Sequence, residues 1–235
     1  MAPQKQPPQQ QAPPVQKLRV QYAKRGPARF SSHRDFGRAF ERALRRAGIP
    51  MAFSSGFNPH PRISFANASP TGAASEAEYL EIGLAKVCDP ERVRVALDQA
   101  LPAGLSIERV TEGGGASLAD RLTGSLWEVT WPGRELELTE PLREFLGRSE
   151  VLVERMTKNG LREFDARGPV LSAEATPDRL RLLIRHEVPL VRPDDVLKAL
   201  TVVAPQWSLP TGLLVNRLAQ GTLVEGELRD PLADA

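Results

Sequence analysis

SHRDFGRAFERALRRAGIP, residues 32–50, reads as one amphipathic helix with both ends marked. Ser32 suits the cap, and Asp35 three positions on makes an approximate capping box. Phe36, Ala39, Phe40, Ala43, Leu44 and Ala47 recur at i, i+3, i+4, i+7, i+8 and i+11, an apolar stripe made to face a core. Gly48 and Pro50 stop the helix. Arg34, Arg38, Arg42, Arg45 and Arg46 fill the rest of its surface, and the three- and four-residue steps align Arg38, Arg42 and Arg45 along one face.

Working outward, KLRVQYAKRGPARF (17–30) alternates Leu18, Val20 and Tyr22 against Arg19 and Gln21, a strand pattern. Gly26-Pro27 breaks it, and residues 28–30 are expected to resume it beyond a turn. After the helix, SSGFNPHPRISFA (54–66) supplies a connection and a strand, and EAEYLEIGLA (76–85) alternates as another strand. Asp89-Pro90 opens a second helix as cap and first residue, with Val93, Leu97, Ala100 and Leu101 on its buried face. PAGLSIERV (102–110) gives a turn and a strand. The order β-α-β-β-α-β is the ferredoxin-like arrangement.

TEGGGASLAD (111–120) breaks the composition, and residues 113–117 read as a linker. Beyond it come SLWEVTW as a strand and a short helix from Thr139 with Leu142, Phe145 and Leu146. EVLVERM and LREFDA follow, joined by an Asn-Gly turn, a strong hairpin signal. RLRLLIRHEV is a strand with Leu180, Leu182 and Ile184 inward, then helix RPDDVLKALTVVA and strand TGLLVNRLA. The expected fold is α+β: two tandem ferredoxin-like units with antiparallel sheets, residues 17–112 and 118–235, the second degenerate. Residues 1–16 are Gln/Pro-rich and read as a disordered leader.

Several classes are excluded or disfavoured by composition. No apolar run approaches the roughly 20 residues of a membrane span, and no signal-peptide pattern opens the chain, so a cytoplasmic location without membrane contact is expected. Cys88 is the single cysteine, which rules out an intrachain disulfide, a cysteine zinc site and the usual iron–sulfur ligation. The three histidines, 33, 60 and 186, lack metal-ligand spacing, so no metal site is expected. No phosphate-binding loop, dinucleotide fingerprint or nucleophile elbow is present.

Charge is uneven. Between residues 17 and 62 stand eleven Lys/Arg against two acids, +9 in a chain whose total is +2. Such a concentration raises the potential over one face. The candidate anion- or substrate-binding residues are Ser32, His33, Arg34, Arg38, Arg42, Arg45, Arg46, Phe57, Asn58, His60 and Arg62. The helix start favours an anion through its free N–H groups and dipole. The prolines of NPHPR hold that run extended, placing Asn58, His60 and Arg62 on one side, bordering the helix start. Phe57 and Phe65 either stack on a base or fill the core. Basic groups beside aromatics are the minimal pattern for single-stranded nucleic acid. A secondary cluster comprises Lys158, Asn159, Arg162, Asp165, Arg167 and Arg217; a solvated charged hairpin is the favoured explanation of the first five, and an internal Asp–Arg pair explains Arg217.

RFSSHRDFGRAFERALRRAGIP, SSGFNPHPRISFA and GAASEAEYLEI carry a likeness. The sequence resembles the bacterial radical SAM-linked protein family, a domain of unknown function, in its actinobacterial stand-alone form. RMTKNGLREFDAR, RPDDVL and RLAQG extend the resemblance more loosely over most of residues 17–232. Relatives are fused to, or encoded beside, a cobalamin-binding radical SAM protein, often near ribosomal-protein and ribonuclease genes. The resemblance thus implies an accessory that binds no cofactor itself and presents RNA or a ribosome-related substrate to that partner. The partner would use S-adenosylmethionine, an iron–sulfur cluster and cobalamin. The family has no established activity, so no catalytic residue is carried over.

Three functions stay open on the residues. In the first, a binding module holds RNA phosphates with Arg38, Arg42, Arg45 and Arg46 and orients the substrate with Asn58, His60 and Arg62. In the second, an enzyme acts on RNA or a nucleotide with His60 or His33 as general acid/base. In the third, the arginine helix docks an acidic protein.

Overall fold

A serine hydroxyl and a stripe of apolar residues set the first long helix where the sequence puts it. In the computed structural model, which describes residues 10–133, 135–157 and 160–233, α1 runs His33–Arg46. The Ser32 Oγ accepts from the Asp35 backbone N–H at 3.2 Å and donates to its carboxylate at 2.6 Å, a cap worth about 1 kcal/mol. Phe36, Phe40, Ala43 and Leu44 are buried.

The chain divides into two compact units, and it is an α+β protein with mostly antiparallel strand pairing. The first unit takes residues up to Thr71 and Glu78–Ala119. Its elements are β1 (Gln16–Lys24), a 3-10 turn (Gly26–Phe30), α1, β2 (Ile63–Ala66), most of β3 (Ala74–Leu84), α2 (Pro90–Ala100), β4 (Leu105–Glu112) and the start of α3 (Leu118–Arg121). Residues 28–30 therefore do not resume the strand: Pro27 and its neighbours wind into the 3-10 turn. The sheet order is β4-β1-β3-β2. β1 runs antiparallel to β4 from Leu18↔Glu112 to Lys24↔Leu105, with a bulge at Gln21/Tyr22. β2 runs antiparallel to β3. Leu18, Val20 and Tyr22 meet α1, where the Tyr22 and Phe36 rings stack at 4.2 Å. Asp89 caps α2 by accepting from the Arg92 N–H at 2.8 Å.

Arg19 departs from the expected alternation. It is 1% exposed, although it occupies the face opposite Leu18 and Val20. Its guanidinium donates to Glu81 at 3.1 Å and to the carbonyls of Gly114 and Ala116 at 2.7 and 2.6 Å. The expected linker 113–117 is thus tied down, with the Gly113 N–H also donating to the Lys17 carbonyl at 2.8 Å. Of the expected leader, Gln16 already belongs to β1, and the Val15 N–H donates to Leu84 O at 2.9 Å. Residues 1–9 lie outside the described residues.

The second unit takes Gly72–Ala77 and Asp120–Ala233. Its elements are β5 (Gly124–Thr130), α4 (Thr139–Leu146), β6 (Leu152–Thr157), β7 (Gly160–Asp165), β8 (Val170–Thr176), β9 (Arg179–Arg185), α5 (Pro193–Val203), β10 (Leu214–Val224) and β11 (Glu227–Arg229). The order is β10-β5-β9-β8, with β11 on β10, and Ala74 and Ser75 pair parallel with Asn216 and Arg217. The strands read from EVLVERM and LREFDA pair with each other as a separate two-stranded sheet. The place beside β9 belongs instead to β8, which the sequence reading passed over. Trp127, Val129, Phe145, Leu180, Leu182, Ile184, Val196 and Leu200 form this core.

Candidate anion-binding site

The cationic row is built by helix geometry. With Phe36, Phe40, Ala43 and Leu44 turned inward, Arg34, Arg38, Arg42, Arg45 and Arg46 are left exposed. Steps of four, four and three residues stack Arg34, Arg38, Arg42 and Arg45 on one side, their Cβ atoms about 5–6 Å apart. Among the described residues, Arg34, Arg38 and Arg42 have no ion-pair partner. Arg45 has, among the described residues, a loose one, Glu41 at 3.8 Å. Arg46 donates to the Ala100 carbonyl at 3.1 Å, satisfying the end of α2. Asp35, the one acid in the first turn, is already engaged. The Ser32 hydrogen bond, helped by the charges of Arg38 and Arg34, holds its carboxyl below the usual range.

The NPHPR loop is held open by its own backbone. The Ser54 N–H donates to His60 O at 2.8 Å, the His60 N–H donates to Ser54 Oγ at 3.0 Å, and Phe53 bridges Pro61. Phe57, in the loop so closed, is 71% exposed. Phe65 takes the other course and packs against Phe36, with His33 edge-on to it at 4.6 Å. Phe65 therefore packs against the core, whereas Phe57 stays exposed.

His60 and Arg62 do not share one surface. His60 lines a cleft of 310 Å³ with Glu41, Leu44, Arg45, Ile49, Met51 and Phe53. Arg62 lines a separate groove of 390 Å³ that includes Pro14, Lys17, Ser64 and Glu81, and its Nε donates to Phe53 O at 3.1 Å. The expectation that Asn58, His60 and Arg62 border the start of α1 is corrected accordingly. His60 meets the C-terminal half of the helix, because β2 begins at Ile63 and turns Arg62 toward β3. Asn58 is exposed in the loop. The cleft brings in Phe53 and Glu41, which were not among the expected site residues; an aromatic just after Pro50 was the signal available.

The secondary cluster disperses. Arg162 is exposed on β7, and Lys158 and Asn159 lie outside the described residues. Asp165 accepts from the Val151, Arg167 and Gly168 N–H groups at 2.8–2.9 Å. Arg167 donates to the Val170 and Leu146 carbonyls. Arg217, 1% exposed, is held by Ser75 Oγ and Gln220 Oε1 over the Trp127 ring.

Neither the His33 nor the His60 imidazole makes a hydrogen bond among the described residues. His186 does, between Ser125 Oγ and the Leu122 carbonyl, both at 2.7 Å. Burial lowers its pKa, with Arg217 adding to the effect against the Leu122 hydrogen bond. Ser125 is fully buried and His186 half-buried, and the hydrogen bond ties the end of β9 to β5. Among the described residues no group of three or more His, Cys, Asp or Glu could hold a metal ion, and no helix is long and apolar enough to cross a membrane.

Fold and site together define an α+β protein that presents an exposed arginine helix beside an aromatic-tipped loop. The chain belongs to the family described as an uncharacterized protein conserved in bacteria (DUF2344), which it matches over residues 17–193. Among curated proteins none matches it.

Proposed function

We propose that this protein is a non-catalytic RNA-binding accessory. The observation that carries the reading is the exposed row Arg34, Arg38 and Arg42, without ion-pair partners among the described residues and continued by Arg45. Cations that a fold needs for itself are paired, as Arg19 is with Glu81; a row left open suits a polyanion. The exposed Phe57 supplies a ring on which a base can stack.

We read both units as ferredoxin-like. Each has strands and helices in the order β-α-β-β-α-β once the β6–β7 hairpin is set aside, and the pairing β4-β1-β3-β2 in the first recurs as β10-β5-β9-β8 in the second. Such units serve widely as RNA-binding scaffolds, an argument by fold analogy alone. The motif resemblance supports a cobalamin-binding radical SAM protein as the partner, acting in the cytoplasm on the RNA or ribosome-related substrate held here. The enzyme reading gains no observation in its favour, since the imidazoles of His33 and His60 lack an orienting partner among the described residues.

The test is fluorescence anisotropy with labelled single-stranded RNA across a salt series, using the full chain and the R38A/R42A/R45A variant. Log K should fall with log salt by about 0.7 for each phosphate contact, and the variant should lose about 2 from the slope. Salt-independent binding, or a variant that binds normally, contradicts the proposal.

A further inference from the structure

The cleft lined by His60 has a composition that the arginine row does not explain. Leu44 and Met51 are buried and, with the half-buried Ile49, give it an apolar lining. Phe53, 42% exposed, and His60, exposed, are the aromatic residues of the lining. Glu41 and Arg45 put one carboxylate and one guanidinium at the same opening, 3.8 Å apart and both partly in solvent. A phosphate-only surface has no use for an apolar pocket or for a carboxylate.

We infer that this cleft takes one base of a bound RNA strand, turned out of the stack, and favours a base carrying an exocyclic amino group. The inference rests on the RNA reading above and adds base recognition to it. At 310 Å³ the cleft lies at the small end of ligand pockets, which suits one planar ring. Phe53 and His60 offer stacking, worth about 1–3 kcal/mol per base. An ionised Glu41 is an acceptor only, so it rewards an amino N–H and repels a carbonyl edge. Arg45 also belongs to the row Arg34, Arg38 and Arg42, so a strand following those cations would pass the cleft mouth at Arg45.

The test uses the full chain with single-stranded RNAs of about twelve nucleotides, made of cytidine, of uridine, or of abasic ribose phosphate, at one ionic strength. Cytidine RNA should bind about tenfold tighter than abasic RNA, as expected for one stacked base, and measurably tighter than uridine RNA. Phe53→Ala should reduce the preference over abasic RNA, leaving only the part that stacking on Phe57 supplies. Glu41→Gln, an isosteric change at a half-exposed site, should abolish the preference for cytidine over uridine. If all three RNAs bind alike while R38A/R42A/R45A still weakens them, the base cleft is overturned and the RNA reading stands. If none binds, both are overturned.

Discussion

Arg45 and His60, from different elements, line the same cleft, while Arg62, two positions beyond His60, faces another groove beside β3. The NPHPR run thus sends His60 and Arg62 to different surfaces. This joins the cationic helix to the loop through its C-terminal half. The helix start is left to Ser32 and Asp35, which satisfy each other.

Arg19 is expected to be a stability residue. Replacing it with alanine strands the Glu81 carboxylate and removes the donor from the Gly114 and Ala116 carbonyls. Breaking a buried pair by deleting one partner costs about 3–5 kcal/mol. Glu81 is partly exposed, which favours the low end, about 3 kcal/mol. Urea denaturation of Arg19→Ala measures it; a loss below about 1 kcal/mol would show that the contacts do not hold the segment.

His186 should give the protein an acid-side sensitivity. Burial lowers its folded pKa below the ordinary 6.5, so the unfolded chain takes up the proton first as pH falls. Stability from this group is therefore complete above about pH 6.5 and declines as pH drops toward the folded pKa. His186→Gln should flatten that part of the profile, read as denaturation midpoints on either side of pH 6.5. An unchanged profile would count against burial opposing protonation of this half-buried imidazole.

Gly104 closes the turn before β4 with φ +86°, and a Cβ there would stand 2.8 Å from the Arg25 carbonyl. Its own carbonyl accepts from the Arg25 N–H at 2.7 Å, so the close approach is part of the pairing. Gly104→Ala should destabilise by about 1–3 kcal/mol, visible as a lower thermal midpoint. No change in that midpoint would mean the turn relaxes freely.

Residues whose environment is local were legible in the sequence. The cap at Ser32, the stripe Phe36–Phe40–Ala43–Leu44 and the Asp89 cap depend on neighbours within a turn or two, and each stands where its spacing put it. β8 was missed because Val170, Ala173 and Ala175 make a weak apolar face of mostly small side chains. The β6 and β7 strands were read correctly as a hairpin but not as a sheet of their own, since pairing between elements leaves no local mark. Arg19 and Arg217 read as solvent-facing or ambiguous because an arginine on a strand gives no sign of the carbonyls, carboxylate or ring that bury it. For the site, the cations were legible from charge and period, whereas Phe53 and Glu41 meet His60 only through the folded loop.

The most direct test of the central claim is ultraviolet crosslinking in cells that express the full chain or R38A/R42A/R45A, followed by sequencing of recovered RNA. The same purifications, with and without nuclease, are read by mass spectrometry. RNA is expected on the wild-type chain and strongly reduced on the variant, with a radical SAM protein among the co-purified partners. No RNA above background, or equal RNA on both chains, would contradict that claim.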